Sequence, residues 1–193
     1  NIPIRTSLGR QLRKAFVAEN GKVLIDADYS QIELRVLAHI SGDKTMRQAF
    51  VNNIDIHTLT ASEIFDLPEN MITEEMRSRA KTVNFGIVYG IGEFSLAKDL
   101  KISRKEAKRY IDNYLATYSG VDEYMKKIVE EGEERGYVET LFGRRRYIPE
   151  LSSRNKQIQA FGRRVCRNTP IQGTAADLIK IAMIRVYDTL KKQ

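Results

Sequence analysis

RSRAKTVNFGIVYG, residues 77–90, sets Arg77, Lys81, Phe85 and Tyr89 at successive i, i+4 positions, so a helix through them carries two cations and then two rings on one drifting stripe. The residues alone leave two readings of that stripe open. In the first, Arg and Lys hold the oxygens of a triphosphate while the flat rings one and two turns on pack a sugar and a base. His57 adds another phosphate donor to this reading. In the second, the segment is an ordinary amphipathic helix with Val83, Phe85, Ile87 and Val88 in the core and the cations solvated. Thr73 supplies a cap, Glu74 and Glu75 supply first-turn acids, and Gly90 supplies a stop, so the helix is expected over 73–89.

Upstream, DADYSQIELR, residues 26–35, joins an extended apolar segment to a helix. Strands are expected at 15–18 and 22–29, turning through Glu19, Asn20 and Gly21 as a hairpin, and a helix at 31–40 from the spacing of Ile32, Val36, Leu37 and Ile40. Asp28 therefore lies at the mouth of a strand. Magnesium takes hard oxygen donors, usually one or two carboxylates besides substrate phosphates, so the Asp28 carboxylate and the main-chain carbonyl of Tyr29 suit half a metal site. An acid that merely caps the following helix has the same position.

Further helices are expected at 43–51, 56–65, 103–118 and 121–135; Ser103 with Glu106 forms a capping box. A short hairpin follows, 137–141 against 145–148, and then a basic helix at 155–168. Pro170 and Gly173 punctuate the start of a last long helix, with Leu178, Ile179, Ala182 and Val186 on one face. The pattern is α+β and mostly helical.

The chain has 193 residues, enough for one core, and no apolar run of membrane-spanning length. One cysteine, Cys166, excludes an intrachain disulfide or a cysteine-rich zinc site and fits a reducing cytosol. The opening NIPIRTSLGR lacks signal-peptide character, so a cytoplasmic protein with no membrane partner is expected. The formal net charge is +7, and it is uneven: residues 1–76 hold 8 basic and 11 acidic side chains, and residues 77–193 hold 24 and 14. Residues 135–167 alone hold nine basic side chains against two acids. Each phosphate neutralised by such a cluster releases counterions, which points to a nucleic-acid backbone, although a solvated charged face has the same composition. Asn168 and Gln172 lie one helical turn apart beyond the cluster, where amides can reach base edges in a minor groove.

Taken together, DADYSQIELR, RSRAKTVNFGIVYG, TLFGRRRYIPEL and NTPIQGTAADL resemble, in order and across essentially the whole chain, the polymerase domain of the bacterial DNA polymerase I family, the family A DNA polymerases. The resemblance implies a partial palm of short antiparallel strands and an all-helical fingers subdomain of a right-hand polymerase. Residues 1–41 become a palm segment with the first carboxylate motif, 42–136 the fingers, and 137–193 a return to the palm with the basic hairpin and helices. It implies that Asp28, with the Tyr29 carbonyl, binds two catalytic magnesium ions. By the same carry-over, Gln31 lines the nucleotide pocket and Glu33 excludes a ribose 2′-hydroxyl. Arg77, Lys81 and His57 bind the triphosphate of a deoxynucleoside triphosphate, Phe85 packs on its sugar, and Tyr89 stacks at the template position. Arg5, Arg164, Asn168 and Gln172 then touch primer-template DNA. The implied reaction is attack of a primer 3′-hydroxyl on the α-phosphate with release of pyrophosphate, in replication or repair.

Two features depart from the family pattern. Neither His39 nor His57 is followed by the Asp-Glu of the second palm carboxylate motif, and no thumb segment is present. The expectation is a piece of a larger polymerase, inactive by itself. A non-catalytic DNA-binding module is a competing class, and a single-subunit RNA polymerase is a third, against which Glu33 and Phe85 argue.

Overall fold

The computed structural model describes residues 6–192. The chain divides between Ser30 and Gln31 into two units, each described by itself. In the first, Thr6 caps α1 (Ser7–Leu12) by accepting from the Gly9 N–H at 3.1 Å, and a 3-10 turn, Arg13–Ala15, follows. Residues 16–19 and 22–29 belong to no helix or strand, so the expected hairpin is absent. Phe16, Val17, Val23, Leu24 and Ile25 are all exposed. An isolated two-stranded ribbon with no cover on its apolar face is marginal in water, which accounts for the missing pairing despite the strand-like composition.

The second unit is a helical assembly. Gln31, in the left-handed region at φ 55°, opens α2 (Ile32–Ser41). Asp43 then caps α3 (Lys44–Val51), Asp55 caps α4 (Ile56–Phe65) and Thr73 caps α5 (Glu74–Val88), each accepting a main-chain N–H of the first turn. α6 (Glu93–Leu100) is a helix not expected from the sequence. Ser103 caps α7 (Arg104–Thr117) as expected, and α8 (Ser119–Arg135) follows after a break at Tyr118. β1 (Tyr137–Glu139) and β2 (Arg145–Tyr147) pair antiparallel with Val138 opposite Arg146.

α9 (Lys156–Leu190) is one continuous helix where two were expected. Pro170 deletes the N–H that would bond to the Cys166 carbonyl, a defect of about 3 kcal/mol in an isolated helix. Here Thr169, Pro170, Ile171, Thr174 and Ala175 are all buried, and α9 packs on α2, α5, α8 and β1, so tertiary burial carries the helix through the proline. The last turns lack that cover. Met183, Ile184, Val186, Tyr187 and Leu190 are exposed.

The main core gathers Leu34 and Leu37 of α2, Met46 of α3, Val83 and Val88 of α5, Tyr110 and Tyr114 of α7 and Ile171 of α9. Asp43 ties two helix starts together: besides capping α3 it accepts the Gly120 N–H of α8 at 3.0 Å. A second cluster, Val129, Val138, Ile148, Leu151 and Cys166, seats the hairpin between α8 and α9. Its closest approach needs a glycine, because a Cβ on Gly132 would stand 2.2 Å from the Cys166 sulfur. Gly132→Ala is therefore expected to lose stability by on the order of 1 kcal/mol net: overpacking outweighs the ~1 kcal/mol that alanine gains in helix propensity. Thermal unfolding checks this; a midpoint at or above the parent's contradicts it, and adding Cys166→Ala should recover part of the loss.

Candidate functional site

Asp55 is the local organiser of the α4–α5 pair. Its carboxylate accepts the His57 N–H at 3.0 Å, the Thr58 hydroxyl at 3.0 Å and Nε of Arg77 at 2.5 Å. Partial burial pushes the Asp55 carboxyl up, but the hydrogen bonds from Arg77, the His57 main chain and Thr58 outweigh it and hold the group below its usual range. In return, the Asp55 hydrogen bond raises the Arg77 guanidinium above its ordinary value. Arg77 is thus a fixed, half-exposed cation. Lys81, one turn on, is exposed and forms no ion pair among the described residues.

His57 is only 2% exposed. Its Nδ1 lies 3.1 Å from the Asn84 amide nitrogen, and its ring stands 6.0 Å from that of Phe85. Burial lowers its pKa to about 4; Asp55 opposes the shift, while Arg77 and Lys81 add to it. The ring is neutral at physiological pH, so as a phosphate donor it offers a dipole rather than a charge. Arg77, Lys81, His57 and Phe85 thus come together on the α4–α5 face. Val83, Asn84, Ile87 and Val88 lie on the buried side of α5, whereas Phe85, which the amphipathic reading placed in the core, is only half-buried.

A second group forms at the C-terminal end of α5. The Tyr89 hydroxyl donates to Glu33 of α2 at 2.9 Å and lies close enough to Gln172 of α9 for that side chain to lower its pKa; Gln172 Oε1 accepts from Asn168 at 3.0 Å. Burial and the Glu33 carboxylate raise the Tyr89 pKa, with Gln172 opposing, so the phenol stays protonated. Four expected site residues from three sequence-distant helices are joined here. Arg164 lies on the same helix as Asn168, its Cγ 3.1 Å from where a Cβ on Gly90 would be, and its guanidinium stands over Phe161.

The basic stretch is partly neutralised from within. Arg135, Arg144, Arg145 and Arg163 pair with Glu131, Asp177, Glu139 and Glu133. Arg167 is half-buried, with Nε donating to the Met125 carbonyl at 3.4 Å; desolvation and the nearby Arg163 lower its pKa. Arg146, Arg154, Lys156 and Arg164 are exposed and form no ion pair among the described residues.

Asp28 and Tyr29 are both exposed in the first unit, and Asp28 is not at a sheet edge as expected, because no sheet forms there. Gln31 begins the second unit with Oε1 buried and unpartnered among the described residues. Arg5 lies outside the described residues. Two hard-oxygen donors, Asp28 and the Tyr29 carbonyl, fit magnesium in kind but not in number: no group of three His, Cys, Asp or Glu residues suited to a metal occurs among the described residues. No described helix is long and apolar enough to cross a membrane.

Sequence reasoning passed over Asp55, Thr60, Asn84 and Tyr118. Asp55 had a readable signal, an acid directly before a helical period. Asn84 had a weaker one, an amide on an otherwise apolar helix face. Thr60 and Tyr118 gave none, since their hydrogen bonds span 24 and 58 residues of sequence.

The comparisons with known proteins bear on all of these segments together. The family model for DNA polymerase family A matches residues 1–193. The chain is 53% identical over 192 residues to DNA polymerase I of Caldicellulosiruptor bescii, 54% identical over 194 residues to that of Bacillus subtilis, and 48% identical over 192 residues to the thermostable DNA polymerase I of Thermus aquaticus. Each alignment takes in 100% of this chain but only 22–23% of the relative. Among solved structures, the POL domain of Pol1 from M. smegmatis, in complex with DNA primer-template and dNTP, superposes with a TM-score of 0.91 at 43% identity, covering 100% of this chain and 34% of that one. A motif order, a helical fold and a whole-length match that agree to this degree leave one conclusion: the chain belongs to DNA polymerase family A.

Proposed function

We propose that this chain supplies the nucleotide-gripping helix and part of the DNA-contacting surface of a template-directed DNA polymerase. The observation that carries the reading is the α4–α5 face, where Arg77, Lys81 and the neutral His57 ring stand beside the Phe85 ring. Residues 42–136 act as the fingers, and 1–41 with 137–193 as this chain's share of the palm. The partners are deoxynucleoside triphosphates and primer-template DNA; the primer–dNTP complex of the structural relative supports that assignment. The free thiol of Cys166 suits a reducing cytoplasm.

The chemistry follows from where charge develops. When a primer 3′-hydroxyl attacks the α-phosphate, negative charge grows on the departing pyrophosphate, and donors fixed beforehand stabilise it without reorganising. Arg77 is fixed by Asp55 through Nε, which leaves its two Nη amines for phosphate oxygens. Lys81 adds a mobile point charge, and His57 adds a neutral dipole. Phe85 covers the sugar, and Glu33, held by the Tyr89 hydroxyl, occupies the space a ribose 2′-hydroxyl would need. Tyr89, Asn168 and Gln172 meet the templating pair, where minor-groove acceptors common to all correct pairs report shape rather than sequence. Magnesium, when bound, neutralises phosphate charge and lowers the pKa of the attacking hydroxyl. Asp28 and the Tyr29 carbonyl are this chain's share of its ligands.

Lys81→Ala should weaken dATP binding to the chain, read by calorimetry, because an exposed, unpaired cation is lost with no partner left behind. Unchanged affinity favours the DNA-binding module instead. With no complete metal site among the described residues, the purified 193-residue chain should extend a primed template negligibly; robust magnesium-dependent incorporation contradicts this.

For DNA, the four unpaired cations set the scale. Four phosphate contacts give a log–log salt slope of about −3.6, so affinity should fall about a hundredfold between about 50 and about 200 mM salt, with little sequence preference. Arg164→Ala should cost more than Arg163→Ala, since Glu133 already neutralises Arg163 at 2.8 Å. Salt-independent binding, or equal losses at Arg164 and the distant Lys191, removes the localisation.

A further inference from the structure

A cleft of about 190 Å³ opens where the end of α5 meets α7, α8 and α9, and none of Arg77, Lys81, His57 and Phe85 lines it. Its walls are mostly apolar: Ile87 and Ile91 from the end of α5 and the turn after it, Ile111 and Leu115 from α7, and Met125 from α8. The Ile91 wall is fixed by the turn itself. Its N–H donates to the Gly86 carbonyl at 2.8 Å, and its side chain lies so near α5 that a Cβ on Gly86 would stand 2.6 Å from Ile91 Cγ2.

Three charged side chains line the same cleft, Arg167 of α9 with Asp122 and Lys126 of α8. Asp122 is already paired, because Lys126 Nζ donates to it at 2.6 Å. Arg167 has no such partner. It is half-buried, its Nε makes a long contact of 3.4 Å to the Met125 carbonyl, and it forms no ion pair among the described residues. Desolvation and the nearby Arg163 hold its pKa below the ordinary value, with Asp122 among the opposing groups. The lining therefore carries one net positive charge, on a guanidinium that burial has deprived of water without supplying a carboxylate.

We propose that this cleft binds a small aromatic carboxylate, its ring against Ile87, Ile91, Ile111, Leu115 and Met125 and its carboxylate on the Nη amines of Arg167. An apolar cavity of about 150 Å³ holds a benzene ring, so this one has room for a single ring and a carboxyl group. A nucleotide, with sugar and phosphates added to its base, does not fit. The guanidinium fork matches a carboxylate in shape as well as charge. An occupant touches the end of α5, α7, α8 and α9 at once, and the site stands independently of the reading of the α4–α5 face.

The test titrates 4-fluorobenzoate, at constant ionic strength, into the 193-residue chain with 13C-labelled methionine methyl groups. Of the five methionines, Met125 lines the cleft, and Met46, Met71, Met76 and Met183 are internal controls; Met125→Leu assigns the signal. The Met125 methyl should shift and saturate with a Kd of about 1 mM, the scale for a ligand of about ten non-hydrogen atoms, while the other four stay still. 4-Fluorobenzamide, alike in shape but uncharged, should bind on the order of tenfold more weakly. Arg167→Met keeps an apolar stem and removes the charge, so it should bring the carboxylate down to the affinity of the amide and leave the amide unchanged. An unmoved Met125 methyl at about 10 mM ligand overturns the proposal. So do shifts of equal size at Met183, equal affinities of wild type for carboxylate and amide, or a folded Arg167→Met protein that still prefers the carboxylate. The wild-type comparison needs no variant, so it decides the matter even if Arg167→Met does not fold.

Discussion

Asn84 sits fully buried on the inward side of α5, and its amide must find partners inside the protein or forfeit the cost of desolvation. Thr60 and His57 of α4 are those partners, and Tyr118 at the α7–α8 break completes the set. A single satisfied polar group in an apolar face specifies one rotation of a helix far more sharply than the apolar residues around it, which tolerate a shifted register. With Asn84 docked, Ala80, Val83, Ile87 and Val88 face the core, and Lys81 is left exposed beside half-exposed Arg77 and Phe85. The outward stripe on which the proposed chemistry depends is the consequence of an inward hydrogen bond.

The same economy runs along the α4 start. Asp55 serves at once as helix cap, acceptor for Thr58 and anchor for Arg77, so that a local signal for starting a helix also orients a cation 22 residues away. Tyr89 closes the other end of α5 by binding Glu33, and Gln172 brings α9 to the same point. The helix that carries the proposed nucleotide contacts is thus held at both ends by polar contacts and in the middle by a polar core, with hydrophobic burial supplying most of the favourable free energy.

Where local chemistry decides the outcome, the sequence could be read. The caps at Thr73 and Ser103, the hairpin around Gly143 and the i, i+4 stripe on α5 are all local, and all are found as expected. The failures are cases in which distant contacts override local preference. Val23, Leu24 and Ile25 have strand composition but no described strand to pair with, and they remain exposed and outside any regular element. Pro170 is a local breaker, yet α9 continues through it because α2, α8 and β1 bury that stretch. The basic cluster was visible as a charge count, but which of its arginines are already spent on Glu131, Glu133, Glu139 and Asp177 required coordinates.

The central claim is that the outward side of α5 holds an activated nucleotide, and covalent capture addresses it most directly. Irradiating the chain with an azido derivative of dATP, followed by trypsin and mass spectrometry, should place the label in the peptide spanning residues 82–98, which contains Phe85 and Tyr89, and excess unmodified dATP should suppress it. Label confined to α7 or α8, or insensitive to competitor, would contradict the account.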